Sequence, residues 1–338
     1  MDCSSVIARP VSLAGGALAE PLTRLPLATL YLTERCNSRC VSCDYWRHGR
    51  RDIDLDTVQR LLPGLASLGT QTVLVSGGEP LLHPHWAEIA ALLRGSGIKL
   101  WLLTAGLALA KHAVDVARLF DQVTVSLDGS TASSYAAIRG LDAFEAVCAG
   151  IRAAVREGVP VGLRVTVQRG NAGELGEQVE LARRLGVEGI SFLAADIGHV
   201  EAFGRRGDPV DGVALRHQDL PTLAKALDAL ERDYADDFAS GFIAESPAKL
   251  RRIYAHYAAL LGLAEPPPVR CNAPDHSAVI EADGGLRPCF FIAGNSRLGD
   301  AGLAEGLNAT AMRRLRADIR AARRPECRHC VCAKWFAS

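Results

Sequence analysis

Short apolar runs alternate with amphipathic stretches along the first part of the chain. Between the runs, apolar residues recur at helical spacing, as from Val58 to Leu65 in a helix predicted to begin at an Asp54 N-cap and end near Ser67. The apolar runs predict six β-strands, at residues 27–33, 72–76, 99–104, 122–127, 159–168 and 189–194. Strands and helices that alternate at this spacing form parallel β-α-β units, so the sequence predicts an α/β fold.

Six such units favour a partial (β/α)6 TIM-like barrel over a closed eight-stranded one. Pro63 is expected to kink or end the first helix, Pro84 to open the second, and Ser130 or Thr131 to cap a short helix. Asp142 is expected to cap a longer helix. The helices that follow the second to fifth strands are predicted at residues 84–93, 108–119, 142–157 and 173–185, with the short helix capped by Ser130 or Thr131 before the third of these.

The pattern changes after the sixth strand. Residues 203–209 have the composition of a loop, two helices are predicted at 217–238 and 246–262, and Pro266–Pro268 should end helical structure. A hairpin across Asp283 and Gly284 and a basic helix at 308–322 follow. The predicted domains are an irregular lead-in at 1–26, the partial barrel at 27–205, a helical linker at 206–267 and a small cysteine-rich module at 268–338.

Composition narrows the functional classes. Of the 338 residues, 49% are apolar and 22% are charged, which is typical of a globular protein, and the net charge of zero gives no reason to expect nucleic acid as a partner. No apolar run approaches the length of a membrane span, and the start of the chain is a poor signal peptide. The ten cysteines fall mainly into two tight groups, which favours metal ligation in a reducing compartment over disulfides. The sequence therefore predicts a cytoplasmic protein that does not contact a membrane.

The front cysteine group, Cys36, Cys40 and Cys43, directly follows the first predicted strand. A short loop that turns three thiolates inward suits an iron–sulfur cluster, and three protein ligands on a four-iron cluster leave one iron open for a substrate or cofactor. The alternative is a zinc site. Zinc prefers four ligands, and His48 could supply the fourth only if the loop bent back.

A second motif, Ser76-Gly77-Gly78-Glu79-Pro80, follows the second predicted strand. The glycines would let the backbone approach a ligand, and the carboxylate would suit an ammonium group. Alternatively, this is a glycine-rich turn with a capping Glu. In this order, the cysteine triplet and the Gly-Gly-Glu motif resemble the signature of the radical S-adenosylmethionine (radical SAM) superfamily.

The resemblance implies roles for the residues of both motifs. Cys36, Cys40 and Cys43 would ligate a [4Fe-4S] cluster, while Gly77, Gly78 and Glu79 would bind the methionine part of SAM. Two further residues are implied by the family pattern: Ser126 would contact the SAM carboxylate or ribose, and Arg139 would meet the carboxylate unless it is an exposed residue at a helix end.

Other positions near these motifs either depart from the family pattern or are candidates for the cavity. Ser42 stands where the family usually has an aromatic residue near the adenine, and Ala105 stands where it often has Asn. Arg164 and Gln168 lie on the fifth strand. Side chains alternate between the two faces of a strand and only the inward face lines the cavity, so at most some of the polar side chains of this strand face it.

The C-terminal cysteines resemble a SPASM or shortened twitch module. A full module has seven cysteines and this one has five, so the resemblance implies one auxiliary [4Fe-4S] cluster held by Cys271, Cys289, Cys327 and Cys330. Cys332 would be an alternative ligand or a spare thiol. A structural zinc is the alternative, because four-cysteine sites are common for zinc. Cys148, in the middle of a helix, is predicted to be a buried, inert thiol.

The resemblance implies an enzyme that reductively cleaves SAM and abstracts a hydrogen atom with a 5′-deoxyadenosyl radical, supplied with electrons by a donor such as flavodoxin or ferredoxin. The leading hypothesis is an oxidoreductase or epimerase acting on a small polar metabolite of sugar, aminocyclitol or nucleoside type. The short lead-in and the resemblance of the five-cysteine module to that of aminoglycoside-pathway alcohol dehydrogenases favour it. The alternatives are radical modification of a ribosomally made peptide or protein, and a non-catalytic iron–sulfur or zinc protein.

Overall fold

The computed structural model describes residues 18–205, 212–299 and 302–336. Most of the predicted lead-in, with Cys3, and part of the predicted loop at 203–209 lie outside these ranges. Six parallel strands lie side by side in the order of the chain, as successive β-α-β units require. They are β1 (Leu27–Thr33), β2 (Thr72–Gly77), β3 (Lys99–Thr104), β4 (Gln122–Ser126), β5 (Val161–Val167) and β6 (Gly189–Ala194). The predicted parallel α/β core is confirmed.

Helices connect the strands, and their apolar faces pack with the sheet into one large core. They are α1 (Tyr45–His48), α2 (Leu55–Ser67), α3 (Trp86–Gly95), α4 (Leu109–Leu119), α5 (Ala132–Arg139), α6 (Phe144–Arg156) and α7 (Leu175–Leu185). Asp54 caps α2 as predicted, since its side chain accepts a hydrogen bond from the backbone N–H of Thr57. Thr131 caps α5 in the same way through Ser134.

Pro63 lies inside α2, which runs to Ser67 as predicted, so the proline does not end the helix. Two other predictions about helix ends are wrong. The second predicted helix begins at Trp86 and not at Pro84, because residues 80–82 form a separate turn of 3-10 helix. The N-cap of α6 is Ala143 and not Asp142.

The next three helices are α8 (Leu220–Asp233), α9 (Ala235–Ser240) and α10 (Pro247–Leu260). The single helix predicted at 217–238 is therefore interrupted at Tyr234, where α8 ends. After α9, the chain runs along the edge of β6. There the N–H of Ile190 donates a hydrogen bond to the carbonyl of Phe242, and the carbonyl of Ile190 accepts one from the N–H of Ala244. These residues do more than link two domains, because they cover the edge strand of the parallel sheet.

The C-terminal module extends the same sheet on its opposite edge. β7 (Ser277–Ile280) pairs in parallel with β1, and β8 (Gly285–Arg287) and β9 (Ser296–Arg297) follow in antiparallel order. Within the described residues, these nine strands form a single sheet. The β7–β8 hairpin was predicted, but β9 and the pairing with β1 were not.

The basic helix predicted at 308–322 is α12 (Thr310–Arg320), and a short helix that was not predicted, α11 (Leu303–Asn308), precedes it. They are separated at Ala309, whose extended ψ of 145° ends α11. In the parts of the chain that the structure describes, there is no helix both long enough and apolar enough to span a bilayer.

Candidate functional site

A cavity of about 240 Å³ lies at the carboxyl ends of the parallel strands. Active sites of parallel α/β folds occupy this end because the loops that follow the strands converge there. The front cysteine loop forms one wall of the cavity, and the ends of β2 to β6 form another. Four residues of the C-terminal module complete the lining: Phe290, Phe291, Val331 and Cys332.

The carboxyl end of α5 holds the front cysteine loop in place. Arg39 donates its N–H to the carbonyl of Arg139 at 2.9 Å, and Val41 donates to that of Ile138 at 3.0 Å. Gly140 then turns the chain with a φ of +72°, and a Cβ at this position would lie 2.3 Å from the carbonyl oxygen of Arg39. Only glycine permits this turn and this close approach together, so Gly140 fixes the position of the loop.

Cys36, Cys40 and Cys43 all line the cavity. Burial raises the pKa of both the Cys36 and Cys43 thiols to about 12. Thiols in this setting need a positively charged partner to ionise, and a metal centre deprotonates its thiol ligands. Two polar atoms of the same loop, Asn37 Oδ1 and Ser38 Oγ, are buried without a hydrogen-bond partner. The donor set and these unsatisfied atoms fit a bound cluster and its ligand.

Gly77 and Gly78 both line the cavity, and their lack of side chains also has a structural role; that they bind the methionine part of SAM stays a prediction. The N–H of Gly78 donates to the carbonyl of Thr33 at 2.7 Å. A Cβ on Gly77 would lie 2.3 Å from that same oxygen, and a Cβ on Gly78 would lie 2.3 Å from the carbonyl oxygen of Arg35. The glycines therefore let β2 pack closely against the start of the cysteine loop, which joins the two motifs at one end of the cavity.

Glu79 is fully buried, and its carboxylate is already hydrogen-bonded within the protein. It accepts bonds from the hydroxyl of Thr104 at 2.9 Å, from the N–H of Ala105 at 2.7 Å and from the N–H of Leu81 at 3.1 Å. Burial raises the pKa of this carboxyl group, while these donors oppose the rise. Glu79 lies behind the cavity wall, not in the lining, and it fixes the position of Ala105, which does line the cavity.

Arg139 is buried and not exposed at its helix end. Its guanidinium group pairs with Asp128 at 2.8 Å and donates a hydrogen bond to Sγ of Cys40 at 3.5 Å. Arg139 Nε is buried without a partner. Arg139, Asp128 and Ser126 line the cavity together, so the structure brings the two predicted SAM-binding residues to the front cysteine loop.

Of the two candidates on β5, only Arg164 lines the cavity. Thr166, two residues further along the same face, also lines it, whereas Gln168 is buried beyond it. Ser42 lines the cavity at the position where the family usually has an aromatic side chain.

The four predicted auxiliary ligands lie near one another. Burial raises the pKa of Cys289, Cys327 and Cys330, and nearby Cys271 raises each of them further. Asn272, next to Cys271, holds the end of the chain by exchanging hydrogen bonds with the backbone of Phe336. Gly284, with a φ of +81°, makes the hairpin turn that leads to Cys289.

Neither thiol set has the arrangement of a mononuclear metal site. Among the described residues, no three Cys, His, Asp or Glu side chains converge closely enough to hold one metal ion. Thiolates that ligate a four-iron cluster each bind a different iron, so their sulfur atoms are spread over the corners of the cluster. The zinc alternative would require the thiols of either set to move together.

Two further cysteines and the two histidines that flank Pro84 lie in different surroundings. Cys332 is exposed and lines the front cavity, with the positive charges of Arg164 and Lys249 near its thiol. Cys148 is buried in α6, as predicted. His83 is buried, with its Nε2 2.8 Å from the carbonyl oxygen of Ile53, and neither it nor His85 lines the cavity.

Sequence reasoning missed a buried polar group in the segment that follows β6. Asp196, His199 and Arg205 are each about 95% buried, and Arg205 pairs with Asp196 at 2.8 Å. Asp196 and Arg205 line the cavity. No signal in the sequence distinguishes these residues from an ordinary polar loop, because their partners are distant in sequence.

Comparison with known proteins places these observations in a family. A family model for the radical SAM superfamily matches residues 30–185, and a model for an iron-sulfur cluster-binding domain, SPASM, matches residues 271–331. The two domains imply a [4Fe-4S] cluster and an auxiliary cluster.

Curated relatives match about half of the chain. A "Probable GTP 3',8-cyclase" of Thermococcus kodakarensis is 35% identical over 173 residues, which are 49% of this chain and 55% of that relative. A "PqqA peptide cyclase" of Streptomyces rochei is 32% identical over 181 residues, or 52% of this chain and 50% of the relative. The chain spans about half of the length of the curated relatives that it matches.

A solved structure matches most of the chain. The structure of Streptococcus suis SuiB bound to its precursor peptide SuiA has a TM-score of 0.63 and 14% identity, and the match covers 88% of this chain and 67% of SuiB. The shared fold, the family models and the convergence of both motifs on one cavity agree. The chain belongs to the radical SAM superfamily and carries a SPASM cluster-binding domain at residues 271–331.

Proposed function

We propose that this protein is a radical SAM enzyme that modifies a side chain of a ribosomally made peptide or protein. The observation that carries the proposal is that Cys36, Cys40 and Cys43 line the same small cavity as Ser126 and Arg139, and that the SPASM domain forms its far wall. When bound there, a reduced four-iron cluster with one open iron supplies an electron that cleaves SAM, and the resulting 5′-deoxyadenosyl radical takes a hydrogen atom from the substrate.

The residues of the chain would orient SAM and exclude water. Arg139 is held by Asp128, so its guanidinium group is pre-positioned beside Cys40 to meet the SAM carboxylate. Phe290 and Phe291 cover the cavity with apolar surface and so limit access of water to a reactive radical. The four cysteines of the SPASM domain, Cys271, Cys289, Cys327 and Cys330, would hold the auxiliary cluster.

The compared proteins support a peptide substrate. The chain is similar to PqqA peptide cyclases and, in fold, to SuiB bound to a precursor peptide.

A small polar metabolite is the second candidate, and it was the leading hypothesis from the sequence. It is favoured by the cationic lining, in which Arg164 and Arg205 join Arg139 and would suit a phosphate or carboxylate. It is also favoured by the likeness to a relative named as a GTP cyclase. The compared relatives are named as cyclases, so bond formation is a better proposal for the outcome than epimerisation.

The first experiment tests the chemistry. Anaerobically reconstituted protein, reduced with dithionite or with a flavodoxin or ferredoxin system, is incubated with SAM, and 5′-deoxyadenosine is measured by liquid chromatography. We expect its formation by the wild type and its loss in the Cys36→Ala, Cys40→Ala, Cys43→Ala triple variant. If the wild type forms none, the chain is a non-catalytic metal protein. About four irons left in the triple variant would support one auxiliary cluster, and about eight would support two.

The second experiment separates the substrate classes. The protein is expressed with short open reading frames encoded beside its gene, and the peptides are analysed by mass spectrometry. A new crosslink in a peptide, seen as a loss of two hydrogen atoms, is the expected result. Unchanged peptides, together with SAM-dependent conversion of a compound in a small-molecule extract, would overturn the peptide proposal and favour the second candidate.

A further inference from the structure

A continuous chain of hydrogen bonds joins the two cysteine sets through the segment that follows β6. Arg205 donates to the carbonyl of Ser42 at 2.8 Å and to the carboxylate of Asp196 at 2.8 Å. The same carboxylate is hydrogen-bonded to Nδ1 of His199. The Nε2 of His199 is 2.9 Å from the carbonyl oxygen of Glu326, to which it donates. The chain thus runs from one backbone carbonyl to another through three buried side chains.

Both ends of this chain lie next to a cluster ligand. Ser42 directly precedes Cys43, the third cysteine of the front loop, and Glu326 directly precedes Cys327 of the SPASM domain. A shift of either carbonyl would therefore move a cluster ligand. We name residues 195–205 the bridging segment because they supply all three side chains of the connection.

Further contacts join the bridging segment to both domains. On the front side, the carbonyl of Phe203 accepts a hydrogen bond from the N–H of Asp44 at 2.9 Å, and Sγ of Cys43 lies 3.4 Å from the same oxygen. On the SPASM side, the His199 ring lies 4.8 Å from that of Phe291, and Arg287 donates to the carbonyl of Glu201 at 3.0 Å. The segment thus touches both cysteine-bearing regions along its length.

The connection is rigid because its charges are buried. Although burial raises the pKa of Asp196, His199 and Arg205 together lower it below its usual value, so the carboxylate stays charged. A buried group that loses its partner bears the cost of desolvation. The position of one carbonyl is therefore tied to that of the other.

We propose that Asp196, His199 and Arg205 are positioning residues that couple the auxiliary-cluster loop to the SAM-binding loop. Loading of the auxiliary cluster fixes Glu326, and the bridging segment transmits that position to Ser42 and Cys43, which raises the affinity for SAM. Because coupling between two sites is reciprocal, bound SAM also stabilises the auxiliary-cluster loop. The inference rests on the proposed function, since it takes the front loop to bind SAM.

The test is a double-mutant cycle on the reconstituted protein, read by the equilibrium dissociation constant for SAM and by iron content. His199→Phe keeps a ring against Phe291 but removes both hydrogen bonds, and Cys327→Ala removes a ligand of the auxiliary cluster. We expect each single variant to weaken SAM binding about tenfold, within the usual range of site-to-site coupling. His199→Phe should keep the iron of both clusters. The double variant should be no weaker than the weaker single variant.

The matched control is His83→Phe. His83 is also buried and also donates its Nε2–H to a carbonyl, that of Ile53, outside the bridging segment. It should leave SAM binding unchanged. The proposal is overturned if His199→Phe with full iron binds SAM like the wild type, if the losses multiply in the double variant, or if His83→Phe weakens binding as much as His199→Phe does.

Hydrogen exchange of the protein as isolated gives a second measurement that needs neither SAM nor activity. The His199→Phe variant should exchange faster at both residues 38–45 and 325–330. Faster exchange at one stretch alone, or at neither, would overturn the coupling even if the wild type bound no SAM. Absence of SAM binding by a well-loaded wild type would instead refute the proposed function.

Discussion

Replacement of Arg139 by Leu tests how the SAM side of the cavity is held together. The guanidinium group lies 2.8 Å from the carboxylate of Asp128, and both side chains are less than a tenth exposed. Asp128 keeps a hydrogen bond from the N–H of Thr166, but in the variant its remaining oxygen would face no cation. The change therefore leaves a buried charge without its partner.

We expect the variant to lose about 3–5 kcal/mol of unfolding free energy at pH 7, as when one member of a buried pair is removed. Burial raises the pKa of Asp128 above its usual value, while Arg139 opposes the rise. A carboxyl group with a raised pKa in the folded state binds more protons when folded, so its favourable contribution is present at low pH and is lost as pH rises through that pKa. Loss of Arg139 raises the pKa further and extends this window upward.

The assay is urea unfolding of cluster-free protein under reducing conditions between about pH 4 and pH 8. The penalty of Arg139→Leu should shrink toward the acid end, where Asp128 is protonated and needs no partner. Arg183→Leu is the matched control, because Arg183 pairs with Asp237 at 2.6 Å but is 45% exposed. A penalty for Arg139→Leu that is no larger than that of the control, or one that does not fall in acid, would refute the reasoning.

Three further predictions concern residues around the cavity. Gly77→Ala, whose Cβ would lie 2.3 Å from the carbonyl oxygen of Thr33, should abolish front-cluster loading in an iron assay. Gly97→Ala is its control, because φ is +80° there but nothing lies within 4 Å, so it should cost about 1–2 kcal/mol in urea unfolding and keep the iron. Glu79→Ala leaves two buried N–H donors without an acceptor and should lower the free energy of unfolding by about 1–3 kcal/mol for each. Glu79→Gln keeps an acceptor oxygen and should lower it less, so equal urea midpoints for the two variants would contradict this prediction. Cys148→Ala should leave the iron content unchanged, and a loss of iron would show that this thiol is a ligand after all.

The parallel core could be predicted because its signal is local. Each strand is a short apolar run, and each helix repeats apolar residues at its own period. The sequence predicted the end of α2 near Ser67 but left open whether Pro63 would end the helix early, because the deciding interactions are tertiary. Leu61 and Leu65 are buried on either side of the proline, and their packing outweighs the cost of the lost backbone hydrogen bond.

The roles of charged residues in the site were harder to predict. The motif resemblance predicted that Arg139 binds ligand at the cavity, and Arg139 lies there. It also predicted that Glu79 contacts ligand, whereas the carboxylate of Glu79 accepts a hydrogen bond from the backbone N–H of Ala105. Asp196 and Arg205 lie in a stretch with the composition of a surface loop. Their burial depends on the SPASM domain, which begins more than sixty residues later in the sequence. A local sequence pattern therefore could not predict that these residues are buried.

The pairing of β7 with β1 has a consequence for dissecting this protein. Leu27 to Leu30 are matched residue by residue with Ser277 to Ile280, so the SPASM domain completes the hydrogen bonding of the first barrel strand. A fragment truncated before residue 271 would present that strand as a free edge, which invites pairing with other copies. We expect such a fragment to aggregate, so the two cluster-binding regions should be separated by point substitution and not by cutting the chain.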